Sequence, residues 1–143
     1  FKLSRPKDLN ICCPISDKKK FVKVINTQPY GVGSYIKKIK KKNINSKSTK
    51  TLSEILKNSI FKDKEIDLLN IDTEGSDFSV LKSINLNKFL PKIIIIESHE
   101  KEIKKILKSK IYKYLLKNKY KLRSWSFYSL IFVLPNSKIL MER

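Results

Sequence analysis

Glycine is almost missing from this 143-residue chain, with only Gly31, Gly33 and Gly75 present. The first two fall in YGVGSY (30–35), whose spacing invites a phosphate-loop reading, but no GxGxxG is completed. The following KKIKKKNINSKS has the composition of a mobile basic loop rather than of a helix. Cysteine is confined to the adjacent pair Cys12 and Cys13, which disfavours a bridge between them and lacks the two-to-four-residue spacing of zinc sites. Two thiols without a bridge fit a reducing compartment. No run approaches the roughly 18 apolar residues of a membrane helix, and no secretory leader with a small-residue cleavage site is present. The expectation is a soluble, cytoplasmic protein of one domain at most. A chain that opens on Phe1 and is short for an α/β enzyme is further expected to be a portion of a longer one.

Arginine is scarce as well. The formal net charge is +19, yet Arg5, Arg123 and Arg143 are the only arginines among 32 cationic side chains. Such a charge suggests a polyanion, but base and phosphate readout relies on arginine forks and stacked aromatics. Lysine, isoleucine and asparagine crowd the chain together, as in proteins encoded by AT-rich genomes. A nucleic-acid partner is therefore disfavoured. The alternative kept open is a basic binding module without catalysis, using the Lys-rich stretch 37–42 and a Lys-faced helix on nucleic acid or another anionic surface.

What is abundant is apolar periodicity. NICCPIS (10–16) and FVKVIN (21–26) read as strands. TLSE (51–54) is a capping box, with Leu52, Ile55 and Leu56 on one face of the helix it opens. IDLLNI (66–71) reads as a strand, GSDFSVLKSI as a helix, and KIIIIES (92–98) as a central parallel strand, because four consecutive isoleucines suit burial on both faces. Beyond it, Ser98 can cap a helix with Glu100 and Glu102 in its first turn, and Ile103, Ile106, Leu107, Ile111, Tyr114 and Leu115 recur at helical spacing. YKLRSWSF and YSLIFVLP close the chain as an antiparallel strand pair. The order predicts an α/β fold ending in a hairpin, with no internal repeat.

In such sheets, ligands lie outside the carboxyl ends of the parallel strands. A strand apolar through Ile71 holds Asp72 rigidly at the rim, and Gly75 lets the backbone turn sharply into the next helix. KIIIIES repeats the device with Glu97, Ser98 and His99. If the two strands are neighbours, Asp72, Glu74, Glu97 and His99 face one crevice.

IDLLNIDTEGSDFSVLKSINLNKFLPKIIIIESHE resembles the FkbM-type methyltransferases, marked by an IDxEG strand end, a helix ending in vLK, and a strand from Pk to an acidic residue and often His. Ile71, Asp72, Glu74, Gly75, Asp77, Leu81, Lys82, Pro91, Lys92, Glu97 and His99 occupy those positions. RPKDLNICCPISDKKKF, TLSEIL and LKNKYKLRSWSFYSLIFV are similar to flanking parts of the family. The resemblance implies the carboxyl-terminal part of a Rossmann-like class I sheet. It also implies methyl transfer from S-adenosylmethionine, usually to an oxygen of a sugar or other small-molecule hydroxyl. The family's glycine-rich donor loop corresponds to sequence ahead of Phe1, so residues 1–143 are expected to form a single partial domain, inactive alone.

Within that frame Asp72 can accept the proton of the attacking hydroxyl or bind a divalent cation that acidifies it. Glu74 can serve the donor, or bond backbone amides around the Gly75 turn. Glu97 is a partner for the base or a cation ligand, and His99 a base or a solvated loop residue. Ser16 and Asp17 fall where this fold borders the adenine, a place that ordinary turn residues also fill. The set therefore comprises Asp72, Glu97 and His99 as catalytic candidates. Ser16, Asp17, Asp72, Glu74 and Gly75 are the donor-binding candidates, and no tight metal site is expected.

Overall fold

The computed structural model describes residues 4–26, 34–38 and 46–135. The elements run β1 (Phe21–Asn26), β2 (Ser34–Lys38), β3 (Lys47–Ser48), α1 (Leu52–Lys57), β4 (Leu68–Ile71), α2 (Asp77–Lys82), β5 (Ile93–Glu97), α3 (Ile103–Lys108), α4 (Lys110–Lys117), β6 (Lys121–Ser126) and β7 (Ser129–Val133). They build two sheets, a three-stranded one in the order β2-β1-β3 and a four-stranded one in the order β4-β5-β7-β6.

The four-stranded sheet is mixed. Parallel β4 and β5 pair from Leu68 with Ile93 to Ile71 with Ile96. The closing hairpin then adds β7 antiparallel to β5 and β6 antiparallel to β7. Alternation along the strands decides what each face does. Ile71, Ile94, Ile96, Leu130 and Phe132 join Val80, Leu81, Ile106 and Leu115 of the helices in one buried core. Asn70, Ile95 and Ile131 are in register across the other face. The isoleucine strand is thus central as expected, but its burial is uneven. Ile94 and Ile96 are fully buried, whereas Ile93 and Ile95 are only partly so.

Thr51 caps α1 as its sequence predicts: its hydroxyl accepts from the Glu54 amide at 3.1 Å, and the Glu54 carboxylate accepts from the Thr51 amide at 2.8 Å. Those bonds favour the ionised form of Glu54 and hold its pKa below the ordinary value. Tyr120, fully buried, donates its hydroxyl to the Pro91 carbonyl at 2.7 Å and ties the entry of β6 to that of β5.

Three local expectations need correction. NICCPIS forms no strand. It makes a single parallel bridge, Ile15 with Lys50, because Pro14 has no N–H to donate to a longer ladder. The basic stretch read as loop contains β2 and β3 as partners of β1; the expectations for 30–33 and 39–45 lie outside the described residues. Ser98 does not cap the next helix either. α3 starts at Ile103 after Glu102, and the apolar period spans two helices separated at Ser109, whose extended backbone and hydroxyl, accepting from the Tyr112 amide at 3.1 Å, open α4.

Candidate functional site

The apolar run of β4 ends at buried Ile71, and the chain emerges at exposed Asp72 before a tight turn. Two successive residues of that turn have left-handed backbone, Glu74 at φ 49° and Gly75 at φ 88°. A Cβ on Gly75 would meet no atom within 4 Å, so conformation, not space, favours glycine there.

The group that fixes this turn is Asp77, the first residue of α2. Its carboxylate, 6% exposed, accepts from the Thr73 amide at 2.8 Å, the Thr73 hydroxyl at 3.0 Å and the Gly75 amide at 3.1 Å. Sequence reasoning noted Asp77 as part of a motif and gave it no role. The available signal was an acid opening a helix two residues after a turn glycine, the position from which a carboxylate reaches back to turn amides. Glu74 takes no part in those bonds and stands exposed.

Beside this turn β5 ends at Glu97. Asn70, Ile71, Asp72, Ile95, Glu97, Phe127, Tyr128 and Ser129 line a crevice of about 300 Å³. Asp72 and Glu97 are therefore brought to one site, as adjacent parallel strands require. Their settings differ. Among the described residues the Asp72 side chain enters no hydrogen bond or ion pair. Glu97 has a side chain only 16% exposed, with Oε1 3.6 Å from Nε2 of His99. Its Oε2 is shut off from solvent and has no partner among the described residues. Burial pushes the Glu97 carboxyl above its ordinary pKa; His99 pulls the other way, and the nearby Asp72, Asp77 and Glu74 add to the rise. A desolvated acid beside other carboxylates holds its proton more readily than a free one, a setting often found where protons are moved.

His99 is exposed beyond the rim and packs its ring 5.3 Å from that of Tyr128. The hairpin turn at Phe127 and Tyr128 completes the crevice, and sequence reasoning missed both residues. The turn carries no glycine, so the two strands read as almost continuous.

Ser16 and Asp17 lie elsewhere, on the flank of α2. The buried Ser16 hydroxyl is 3.0 Å from that of Ser79. Asp17 accepts from Ser79 at 2.9 Å and from the Lys82 ammonium at 3.0 Å. Those bonds, with Lys82 foremost, bring the Asp17 carboxyl down to about 2. Neither residue lines the crevice; both fasten the segment before β1 to α2. Among the described residues no three His, Cys, Asp or Glu side chains gather as metal ligands, and no helix is long and apolar enough to cross a membrane.

No curated protein and no solved structure matches the chain. A family model does, the methyltransferase FkbM domain, over residues 7–122. That span covers most of the chain and every candidate named from the sequence, from Ser16 to His99, while stopping short of Phe127 and Tyr128. The mixed α/β architecture, with carboxylates gathered at the ends of two parallel strands, agrees with that match, and the chain belongs to the FkbM methyltransferase family.

Proposed function

We propose that the protein transfers a methyl group from S-adenosylmethionine to a hydroxyl oxygen of a saccharide or other small molecule, in a Rossmann-like class I site whose acceptor end is the crevice at β4 and β5. The observation that carries this reading is the pairing of Asp72, unengaged and exposed, with Glu97, desolvated and holding an oxygen without a donor among the described residues. A hydroxyl entering the crevice meets two acceptors, and Asp72 is the one free to take its proton as the oxygen becomes a nucleophile. Glu97, with its raised pKa, receives a hydrogen bond from the acceptor and orients it. His99, close to Glu97 Oε1, compensates the negative charge when protonated.

The residues present fit the cationic part of the donor. The carboxylates of Asp72 and Glu97, with Glu74 and the Gly75 turn nearby, would hold its ammonium and sulfonium. When bound, the donor supplies an electrophilic methyl on sulfur. The Asp77 bonds keep the Asp72 loop in one shape throughout, so positioning rests on a rigid turn. Ser16 and Asp17, bonded to Ser79 and Lys82, brace the segment before β1 against α2.

Calorimetric titration tests the reading. S-adenosylmethionine is expected to bind the full-length protein in the micromolar range, about −8 kcal/mol. Absence of binding to the full-length protein would overturn the transferase reading.

A further inference from the structure

We propose that the β6–β7 turn, Phe127 with Tyr128, is a platform that seats a saccharide ring over the crevice; the inference rests on the methyl-transfer reading for the chemistry that follows, but not for the binding itself.

The turn is built against its own stability. Ser126 pairs with Ser129, so the hairpin loop has two residues. Phe127 has φ 51°, while Tyr128 has no positive φ, the pattern of a turn that normally begins with glycine. A large aromatic in that conformation is strained. Nor is the strain offset by burial, since Phe127 is 89% exposed. A backbone outlier that folding does not reward points to a use.

The turn is also held still. Trp125 donates its indole N–H to the Phe127 carbonyl at 2.7 Å, and the Tyr128 carbonyl accepts from the Ser98 amide at 2.7 Å. The second bond ties the turn to the residue after Glu97 and so anchors the aromatic pair beside the desolvated carboxylate. Contact of Tyr128 with the His99 ring adds a further constraint.

The chemistry of the lining selects the ligand. Asn70, Asp72, Glu97 and Ser129 offer polar groups around the partly buried aliphatic Ile95, under two exposed rings. A pyranose matches both halves: its hydroxyls serve several acceptors at once, and its flat C–H face lies on the electron-rich face of an aromatic ring. A phenol has the flat face but too few hydroxyls for four polar partners. A lipid or apolar peptide would leave the carboxylates desolvated without partners, at high cost.

The test uses the full-length protein, with Phe127→Gly and Phe127→Trp, on an immobilised panel of oligosaccharides beside a panel of phenolic compounds. The wild-type protein is expected to retain a subset of the saccharides. Phe127→Gly should weaken that retention by about tenfold or more while its thermal midpoint stays level or rises, since glycine relieves the turn, and Phe127→Trp should retain binding. Equal saccharide binding by Phe127→Gly, no saccharide binding by the wild type, or retention of phenols alone would each overturn the proposal. Failure of the transfer reading is distinguishable. Saccharide binding through Phe127 in a protein that does not take up S-adenosylmethionine leaves the platform and removes the methyl transfer, and the converse result removes the platform alone.

Discussion

Replacing Asp77 by alanine should damage the candidate site more than any exposed substitution in the crevice. One carboxylate, almost buried, gathers the Thr73 amide, the Thr73 hydroxyl and the Gly75 amide within 3.1 Å. A hydrogen bond to a charged group contributes about 1.5–3 kcal/mol, but bonds to one acceptor are not additive, and water can reach part of the turn. A net loss of about 3–4 kcal/mol follows, which for a chain of this size lowers the melting midpoint by roughly 10 °C. The left-handed pair Glu74 and Gly75 is retained only while those amides are held, so the alanine variant also releases the segment that carries Asp72. Urea denaturation followed by circular dichroism measures the loss. Two milder variants rank the bonds: Thr73→Val removes the hydroxyl alone, for about 1 kcal/mol, and Asp77→Asn keeps one acceptor oxygen and falls between. If Asp77→Ala costs less than about 1 kcal/mol, or no more than Thr73→Val, the carboxylate does not organise the turn and the reasoning fails.

Two further expectations concern pH. Asp17 has a folded pKa of about 2 against an ordinary value of 3.8. Its bonds to Lys82 and Ser79 therefore stabilise the protein fully above pH 3.8 and are lost as pH falls toward 2. Lys82 is well exposed, so screening limits the effect to about 1 kcal/mol; denaturation midpoints between pH 5 and 2 should fall more steeply for the wild type than for Asp17→Asn, and parallel curves would contradict the assignment. Glu97 is the opposite case. Its raised pKa means that ionisation costs stability, a cost absent below the ordinary value of 4.5 and growing as pH rises through the folded pKa. Glu97→Gln should thus stabilise the fold at neutral pH and not in acid, by the same denaturation series. Destabilisation by Glu97→Gln at neutral pH would show that the Glu97 carboxylate has a partner in the fold.

The core and the meeting of Asp72 with Glu97 were legible because both follow from local pattern. Four isoleucines require a central strand, parallel pairing sets the two strand ends side by side, and each run turns acidic at its end. The capping box at Thr51 was legible for the same reason, since donor and acceptor are three residues apart. Long-range bonds left no such trace. Nothing near Asp17 announces Lys82, which is 65 residues away, and a turn signal would have been read at 16–17 in either case. The turn at Phe127 was hidden by its own strain, because a two-residue hairpin without glycine, asparagine or aspartate offers none of the residues by which turns are recognised. Ser109 was hidden in turn by the apolar period that runs through it.

The central claim is that the crevice carboxylates perform the proton chemistry of methyl transfer. The most direct measurement is turnover of the full-length protein with methyl-labelled S-adenosylmethionine, wild type against Asp72→Asn. The variant keeps the shape of Asp72 and, among the described residues, breaks no bond of the fold. Its melting midpoint and donor affinity should match the wild type while turnover falls about a hundredfold or more, the scale of a positioned base. Turnover equal to the wild type would remove Asp72 from the mechanism and contradict the account.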